Sequence, residues 1–229
     1  MERRFLKLLF GSTVGQKYLM AIAGLAFYLF LIVHLIGNTT LFFPPEAINT
    51  YAHTLEKVKP VIIIIELILL AIFALHFILG AIITLKNRAA RPQHYKLQKD
   101  AGGKSKKTIS STTMIWSGIV ILVFVVLHLI HFKFGPRTEA YTLTVNGQEV
   151  WNLHKLVVDR FQSISFLIFY LVALLIMAFH LRHAFWSSFQ SLGWGNDKYT
   201  PLLINLSTIF SIIIGGGYII IALFAHFKY

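Results

Sequence analysis

Apolar residues are concentrated along this chain in five long runs, which shorter polar segments separate. The runs extend roughly over Tyr18–Phe43, Val61–Leu85, Met114–Phe134, Phe161–Phe179 and Leu202–Phe227. An α-helix needs ~20 mainly apolar residues to cross the hydrocarbon core of a bilayer, and each run is about that long. The pattern therefore predicts an all-α membrane protein with five transmembrane helices, in which residues 1–229 form a single transmembrane domain.

Two shorter patterns lie outside these runs. The N-terminal stretch MERRFLKLLFGSTVGQK starts with basic residues, but Gln16 and Lys17 interrupt its short apolar run. We expect an uncleaved amphipathic lead into the first helix, not a removed signal peptide. Between the third and fourth runs, β-type residues alternate around Asn146 and Gly147, which is typical of a short β-hairpin.

Composition and charge narrow the class further. Hydrophobic residues make up 56% of the 229 positions, more than a soluble domain of this length hides in one core. The chain has no cysteine, which excludes an iron–sulfur cluster held by its own thiolates and a cysteine-ligated zinc. The net charge of +12 comes from helix ends and one loop, so membrane topology accounts for it more simply than nucleic acid binding does.

The distribution of that charge predicts the orientation in the membrane. The segment Leu85–Lys107 joins the second and third runs and carries eight Lys and Arg against one acid, Asp100. Cytoplasmic loops of membrane proteins are enriched in Lys and Arg. We therefore expect this loop and the N-terminus in the cytoplasm and, after five spans, the C-terminus on the outer side.

Histidines occur at matching depths in the first four runs. The chain has ten histidines, and the deepest in each of the first four predicted helices are His34, His76, His128 and, close to Arg182 at the inner end of the fourth, His180. Successive helices run in opposite directions, so counting from the helix ends puts His34 and His128 in the outer half and His76 and His180 in the inner half. With a rise of ~1.5 Å per residue, the two levels should lie on the order of 15–20 Å apart.

Two pairs of histidines at two depths favour a haem-binding bundle, although a single intramembrane histidine is about as often a hydrogen-bonded packing residue. Haem iron takes two axial nitrogens from opposite sides, and a helical bundle can supply them from facing helices. Small residues that would let a flat ring approach follow three of the four histidines: Gly37 after His34, Gly80 after His76 and Ala184 after His180. His128 has no such neighbour.

Two of these histidines belong to H-x-x-H doublets, His128–His131 and His180–His183. Doublets of this kind serve membrane di-iron enzymes, but here they lie near opposite sides of the predicted membrane and cannot share one compact site. We interpret His131 and His183 as contacts to haem propionates or to a quinone, with a position among the lipid headgroups as the alternative. Glu66 lies about two turns inside the second run, where a carboxylate needs a proton or a partner, and this favours a functional role.

Four stretches of the chain share their pattern with one family. They are GSTVGQKYLMAIAGLAFYLFLIVHLIGNTTLF, EAINTYAHTLE, HLIHFKF and HLRHAFWSSFQSLGW. In these stretches the chain resembles the cytochrome b membrane subunit of succinate dehydrogenases and fumarate reductases, in its single-subunit, two-haem type. The resemblance covers nearly the whole span region, and the last stretch is its most specific part.

The resemblance implies two haem b groups, each held by one histidine from each of two helices. His34 and His128 would hold the distal haem, and His76 and His180 would hold the proximal haem. In the family the first histidine of each doublet is the ligand. This pairing agrees with the depths, which were obtained without the resemblance.

The resemblance also implies a quinone site near the distal haem, at the outer side, where an acid handles the quinone's protons. Glu56 in HTLEKVKP falls where the family suggests such an acid, and Glu66 competes with it because of its burial. Some fumarate reductases of this type carry a Glu two residues before the ligand of the fourth helix. This chain has Ala178 there, which puts a proton path of that kind in doubt.

The function implied is that of a membrane anchor that relays electrons between a quinone, commonly menaquinone, and an iron–sulfur subunit. FAD, the iron–sulfur clusters and the succinate or fumarate chemistry would belong to a flavoprotein and an iron–sulfur subunit on the cytoplasmic side of a bacterial-type inner membrane. Two such heterotrimers could form a dimer. The alternatives are a bis-histidine cytochrome b of another membrane oxidoreductase, such as a formate dehydrogenase or hydrogenase, and a haem-free proton or ion transporter.

Overall fold

A computed structural model describes residues 2–90, 112–145 and 148–229, with side chains except at positions 2–6, 145 and 148. Most of the basic loop and the Asn146–Gly147 turn lie outside the described residues. The orientation expected from the charge of that loop therefore stays a prediction.

The described chain consists almost entirely of helices. In chain order these are α1 Glu2–Gly11, α2 Thr13–Asn38, α3 Pro45–Lys57, α4 Lys59–Ala89, α5 Met114–His128, α6 Leu153–Phe161, α7 Ile164–Ser191 and α8 Thr200–Phe227. A 3-10 turn, Thr39–Phe42, continues α2, and a π-helical turn, Leu129–Lys133, continues α5. Another 3-10 turn, Glu139–Tyr141, leads into the strands β1 Thr142–Val145 and β2 Gln148–Trp151.

Five of these helices are long and apolar enough to cross a membrane. They are Thr13–Phe42, Lys59–Ala89, Met114–Lys133, Ile164–Ser191 and Thr200–Phe227, which we call the first to fifth spans. This agrees with the predicted class, an all-α multi-pass membrane protein. It also suggests that a lipid bilayer surrounds the chain.

The fourth span differs from its predicted bounds because it continues twelve residues beyond Phe179, to Ser191. The sequence suggested that the span ends near Phe179, because Arg182 introduces a charge three residues later. In the structure Nε of Arg182 donates a hydrogen bond to Oγ1 of Thr208 in the fifth span, at 3.1 Å. The charge therefore has a polar contact on a neighbouring helix and does not end the span. As a consequence, His180 lies well inside the fourth span and not near its end.

Successive spans run in opposite directions. Nζ of Lys86, late in the second span, donates to Oε1 of Gln16, early in the first, at 3.1 Å. Nε2 of Gln162, just before the fourth span, donates to the carbonyl of Ala225, late in the fifth, at 3.3 Å. The bundle thus has a hairpin end, with α3, β1, β2 and α6, and a loop end, where the second span ends and the third begins.

The fourth and fifth spans hold most of the tightly packed side chains. Leu167, Tyr170, Leu174, Ile214, Ile221 and Ala225 are each no more than 6% exposed. Two phenols bind the first span to this core: the hydroxyl of Tyr28 donates to the carbonyl of Leu181, and that of Tyr218 donates to the carbonyl of Leu31 at 2.9 Å. The apolar side chains of the second span are mostly exposed, which suits contact with lipid tails.

A small polar network holds together the segments at the hairpin end, α3, β1, β2 and α6, which we call the cap. The predicted β-hairpin is confirmed, because β1 and β2 pair antiparallel with Leu143 opposite Val150. Oδ1 of Asn152 accepts from Nδ2 of Asn49 in α3 at 3.1 Å and from the backbone N–H of Lys155 at 3.0 Å, which caps α6. Asn49 thereby joins α3 to the start of α6.

Close packing between the fourth and fifth spans predicts different effects at two adjacent glycines. A Cβ at Gly215 would lie 2.6 Å from Cβ of Ala178, so Gly215→Ala should separate the helices and cost about 1–3 kcal/mol of stability. A Cβ at Gly216 would meet nothing within 4 Å, so Gly216→Ala should be neutral or stabilise by up to about 1 kcal/mol through helix propensity. Thermal unfolding in detergent measures both, and equal effects would contradict the close contact.

The burial of His154 predicts that the stability of the cap depends on pH. This side chain, outside the spans, is 7% exposed, and its Nε2 has no hydrogen-bond partner among the described residues. Burial lowers the pKa of His154 below its ordinary value, although the carboxylate of Glu46 opposes this. The fold therefore favours the neutral imidazole. The stability that the buried, neutral His154 side chain contributes is fully present above the unfolded pKa of about 6.5. It is lost as pH falls through the lower folded pKa.

The measurement is the unfolding midpoint between about pH 8 and pH 5. His154→Gln should make the midpoint fall less steeply with acidification than in the unsubstituted protein. His53→Gln in α3 is the matched control and should keep the original slope. A slope left unchanged by His154→Gln would assign the pH dependence to other groups.

Candidate functional site

His34 of the first span and His128 of the third span meet at the hairpin end. Their ring centres are 5.9 Å apart and their planes are inclined by 85°. Phe30 stacks on His34 at 5.3 Å, and Phe124 and Phe132 lie 5.8 and 5.4 Å from His128. The two imidazoles predicted to form the outer pair are therefore neighbours in an aromatic setting.

Local backbone features position this pair. Nδ2 of Asn38 donates to the backbone carbonyl of His34 at 2.7 Å and lies within 3.5 Å of both ring nitrogens of that residue. His128 is the last residue of regular α-helix in the third span, because the next five residues form the π-helical turn. In that turn the N–H of Phe134 donates to the carbonyl of Leu129 at 2.8 Å. Wider turns of this kind occur frequently at functional sites.

His76 of the second span and His180 of the fourth form the other pair, nearer the loop end. The two imidazoles lie within range of an electrostatic interaction. Gly24 of the first span lies against His76, since a Cβ there would be 3.6 Å from Cε1 of that ring. Gly118 of the third span lies against His180 in the same way, at 3.9 Å.

The two pairs occupy separate levels of the bundle. Gly24 precedes His34 by ten residues in the first span, and Gly118 precedes His128 by ten residues in the third. At 1.5 Å of rise per residue, both helices give a separation of about 15 Å. The value agrees with the lower end of the range expected from the sequence.

The hydroxyl of Ser117 orients the imidazole of His180. Oγ of Ser117 donates its one proton to the carbonyl of Met114 at 3.0 Å and lies 2.9 Å from Nδ1 of His180. When the proton is engaged in that way, this oxygen can accept from Nδ1–H of His180. The lone pair of Nε2 is then free, as in a histidine prepared by a hydrogen bond at one nitrogen to bind a metal at the other.

The residues at both levels fit a haem. His34 and His128 lie on facing helices with ring centres 5.9 Å apart, and two such imidazoles are the donors that would hold a haem iron. Nδ1 of His128 and Nδ1 of His76 are buried without a hydrogen-bond partner among the described residues, and an unsatisfied buried nitrogen costs about 1–3 kcal/mol. Both levels thus contain imidazoles that the protein alone does not satisfy.

The small residues after the histidines have different surroundings. A Cβ at Gly80 would meet nothing within 4 Å, which leaves the space that the sequence suggested beside His76. A Cβ at Gly37 would lie 2.5 Å from the hydroxyl oxygen of Tyr51 in α3. Tyr51 therefore packs closely against Gly37, and the expectation that Gly37 makes room for a flat ring stays a prediction.

The second members of the two doublets lie in different settings. Nδ1 of His131 is 3.2 Å from the hydroxyl of Tyr170, so this ring faces the fourth span. His183 packs edge-on against Trp186 at 5.4 Å, and its Nδ1 is buried without a partner among the described residues. Because the fourth span continues to Ser191, His183 lies inside a helix and not at its end.

No three His, Cys, Asp or Glu side chains form a group that could hold a metal ion in the part of the chain that the structure describes. A haem iron takes only two protein nitrogens, so this finding leaves the two histidine pairs compatible with haem. A di-iron site of the doublet type would need a larger cluster of histidines.

Each of the two candidate acids forms an ion pair with a basic residue at the hairpin end. These residues are Lys133, the last of the third span, and Arg137, four positions further on. Glu66 pairs with Lys133, and these side chains are 39% and 43% exposed. Oε1 of Glu56 accepts from Nη1 of Arg137 at 2.6 Å, with exposures of 33% and 54%. The partner that a carboxylate inside a span requires is thus present for Glu66.

Three residues near the histidines were not singled out from the sequence: Ser117, Tyr170 and Arg160. Hydroxyl groups inside apolar runs are a weak signal of polar contacts, and Ser117 and Tyr170 carry one. Arg160 precedes the fourth span, where a basic residue ordinarily indicates a helix end. Its proximity to His131 depends on how α6 folds back on the bundle.

No protein-family model, no curated protein and no solved structure matches the chain.

The ion pair between Glu66 and Lys133 predicts energetic coupling. Glu66→Gln and Lys133→Met should each destabilise the protein, because either leaves one charge unpaired beside apolar helices. The double variant should lose less than the sum by about 1 kcal/mol or more in thermal unfolding. The matched pair Lys155–Asp159 in α6, with Nζ and Oδ2 2.5 Å apart outside the spans, should show almost no coupling. Additive effects at Glu66 and Lys133 would mean that the pair does not stabilise the bundle.

Proposed function

We propose that this chain is the membrane anchor and two-haem cytochrome b subunit of a succinate:quinone oxidoreductase, a succinate dehydrogenase or fumarate reductase. In this role it binds a quinone and relays electrons between the quinone and an iron–sulfur subunit. The observation that carries the proposal is the meeting of His34 and His128, with ring centres 5.9 Å apart, inside a bundle that holds a second pair, His76 and His180.

The chain would hold haem b at two levels. His34 and His128 would hold one haem at the hairpin end, and His76 and His180 would hold the other nearer the loop end. Haem b supplies reversible one-electron chemistry when it is bound. Ser117 would keep the His180 ring in the tautomer that leaves Nε2 available.

The two ends of the bundle would meet different partners. Lys86 and Arg88 in the last turn of the second span, with the basic sequence that follows, support a cytoplasmic loop end. An iron–sulfur subunit and a flavoprotein with FAD would dock there and carry out the succinate or fumarate chemistry. The hairpin end would then face the outer side, as in a bacterial-type inner membrane.

A quinone would react at the hairpin end, and menaquinone is the type common in the family that the sequence resembles. Oxidation of one quinol releases two electrons and two protons. The electrons pass on singly, and the protons need acid–base groups near the outer surface. Glu66 and Glu56 are the proposed groups, since both lie toward the hairpin end of the second span and α3.

Reduced-minus-oxidised absorption spectra of the purified protein test this function. We expect a b-type band from two haems. His34→Ala and His128→Ala should each remove the same haem, and the double variant should lose no more than either single variant. His76→Ala and His180→Ala should remove the other haem. His53→Ala, outside both pairs, is the control and should keep the full band.

Three other outcomes would overturn parts of the proposal. Absence of a b-type band would favour a haem-free transporter. Loss of the same haem in His34→Ala and His76→Ala would show that the pairing is wrong. Co-purification with subunits other than a flavoprotein and an iron–sulfur protein would identify a cytochrome b of another oxidoreductase.

A further inference from the structure

Arg182 carries a positive charge inside the fourth span, and its polar contact is a neutral one. Its Nε donates to Oγ1 of Thr208 at 3.1 Å, and the hydroxyl of Thr208 donates in turn to the carbonyl of Ile204 at 3.0 Å. No carboxylate among the described residues forms an ion pair with Arg182. The hydrogen bond therefore positions the guanidinium but does not balance its charge.

The depth of Arg182 makes this charge costly. The fourth span has 28 residues, so at 1.5 Å per residue it exceeds a hydrocarbon core of ~30 Å by about 6 Å at each end when it is centred in the membrane. Arg182 lies nine residues before the end of that span, and Thr208 lies eight residues after the start of the fifth. Both distances are about 12–13 Å. The guanidinium is therefore held roughly 6 Å inside the hydrocarbon region, where a cation needs an anionic partner.

Arg182 does not face the histidine pair at the same end of the bundle. It follows His180 by two residues, which is about 200° around the helix. It lies instead beside the contact between the fourth and fifth spans, where a Cβ at Gly215 would be 2.6 Å from Cβ of Ala178, one turn from Arg182. The charge is thus directed away from the site formed by His76 and His180.

Exposed apolar side chains lie below Arg182 on the same side of the fourth span, toward the middle of the bundle. Phe179, Leu175 and Val172 lie within about 80° of Arg182 around the helix. They are 54%, 51% and 53% exposed. This stripe suits contact with hydrocarbon chains.

The fifth span adds a matching stripe. Ile212, one turn below Thr208, is 66% exposed, and a Cβ at Gly216 would meet nothing within 4 Å. In both helices the exposed residues follow the Ala178–Gly215 contact in the same rotational sense. Because the two helices are antiparallel, the two stripes face one side of the pair, which we call the 4–5 face.

Polar side chains lie on the 4–5 face toward the loop end. Trp186 follows Arg182 by one turn and is half-buried, and Asn205 precedes Thr208 by one turn and is exposed. The indole and amide N–H groups can donate hydrogen bonds, and tryptophan is enriched at the level of lipid headgroups. From the loop end inward, the face is therefore polar, then cationic, then apolar.

We propose that the 4–5 face binds one anionic phospholipid of the loop-end leaflet. Its phosphate accepts from Arg182 and Asn205, because a guanidinium matches the geometry of phosphate oxygens. Its acyl chains lie against Phe179 and Ile212. The order of groups along the face is that of a lipid with its head at the loop end, and the bound lipid would join the fourth span to the fifth.

A second copy of this chain fits the 4–5 face less well. Within the described spans Glu66 is the one acidic side chain, and it lies toward the hairpin end and pairs with Lys133. A copy inserted in the same orientation would therefore offer no described carboxylate at the depth of Arg182. A lipid phosphate provides the negative charge and brings the acyl chains that the apolar stripes require.

Native mass spectrometry of the full-length protein in detergent, titrated with dioleoylphosphatidylglycerol or dioleoylphosphatidylcholine, tests the site. We expect one phosphatidylglycerol to bind roughly tenfold or more tightly than phosphatidylcholine. Arg182→Leu should abolish this preference, and Thr208→Val should reduce it because the guanidinium is no longer held at the face. Arg88→Leu removes the same exposed charge at the same end of the bundle and is the matched control, which should keep the preference.

Several outcomes would overturn the site. They are equal affinities for the two lipids in the unsubstituted protein, an unchanged preference in Arg182→Leu, and equal losses in Arg182→Leu and Arg88→Leu, which would indicate general attraction to a basic end. Displacement of the lipid by an excess of inorganic phosphate would reduce the site to an anion contact. Phosphatidylglycerol binding that disappears when subunits co-purify at the loop end would assign Arg182 to a protein partner.

A further variant guards against a folding defect. Arg182→Lys keeps the charge and should recover part of the preference for phosphatidylglycerol, which a misfolded protein would not do. The same lipid should raise the thermal unfolding midpoint of the unsubstituted protein and of Arg88→Leu, because a ligand that binds the folded state stabilises it. It should leave the midpoint of Arg182→Leu unchanged, and an equal rise in that variant would contradict the proposal.

Discussion

A polar ring nitrogen among apolar helices must find a partner, and this requirement determines how the bundle is arranged around its histidines. Protein groups satisfy some of these nitrogens: Ser117 contacts Nδ1 of His180, and Tyr170 contacts Nδ1 of His131. Within the described spans, Nδ1 of His76, His128 and His183 is buried without a partner. Two of these three imidazoles belong to the paired levels, so the incomplete hydrogen bonding coincides with the places where a haem is proposed.

The first span fixes the levels of the two histidine pairs, because it contacts each of the other four spans. Gly24 lies against His76 of the second span, and the hydroxyl of Tyr28 donates to a carbonyl of the fourth. The carbonyl of Leu31 accepts from Tyr218 of the fifth span, and His34 meets His128 of the third. These four residues follow one another at intervals of three or four, so they advance along one broad face of the helix. One helix therefore sets the depth of both histidine pairs, and a shift of this span would disturb all of these contacts together.

The sequence predicts the parts of this architecture that depend on local pattern. Apolar runs predict the five spans, and counting from helix ends predicts two levels of histidines, because the rise of an α-helix is constant. The contacts between distant segments could not be predicted in this way. Arg182 suggested a helix end, but in the structure its side chain contacts Thr208 of another span. The contact of Gly37 with Tyr51 of α3 was likewise not predictable from the sequence. The proximity of Arg160 to His131 depends on how α6 returns to the third span, which no local pattern encodes.

The π-helical turn at the end of the third span lies where this span contacts the first, second and fourth spans. Up to His128 the span is regular, and that imidazole faces the first span. The wider turn that follows changes the angular spacing of the next side chains. As a result His131 faces the fourth span, while Lys133 reaches the second span and Glu66. A regular helix would also turn its side chains, but here the wider turn lies between the histidine pair and the ion pair. His128 of the proposed haem site, His131 and the Lys133 partner of Glu66 thus lie within six consecutive residues of one backbone, 128–133.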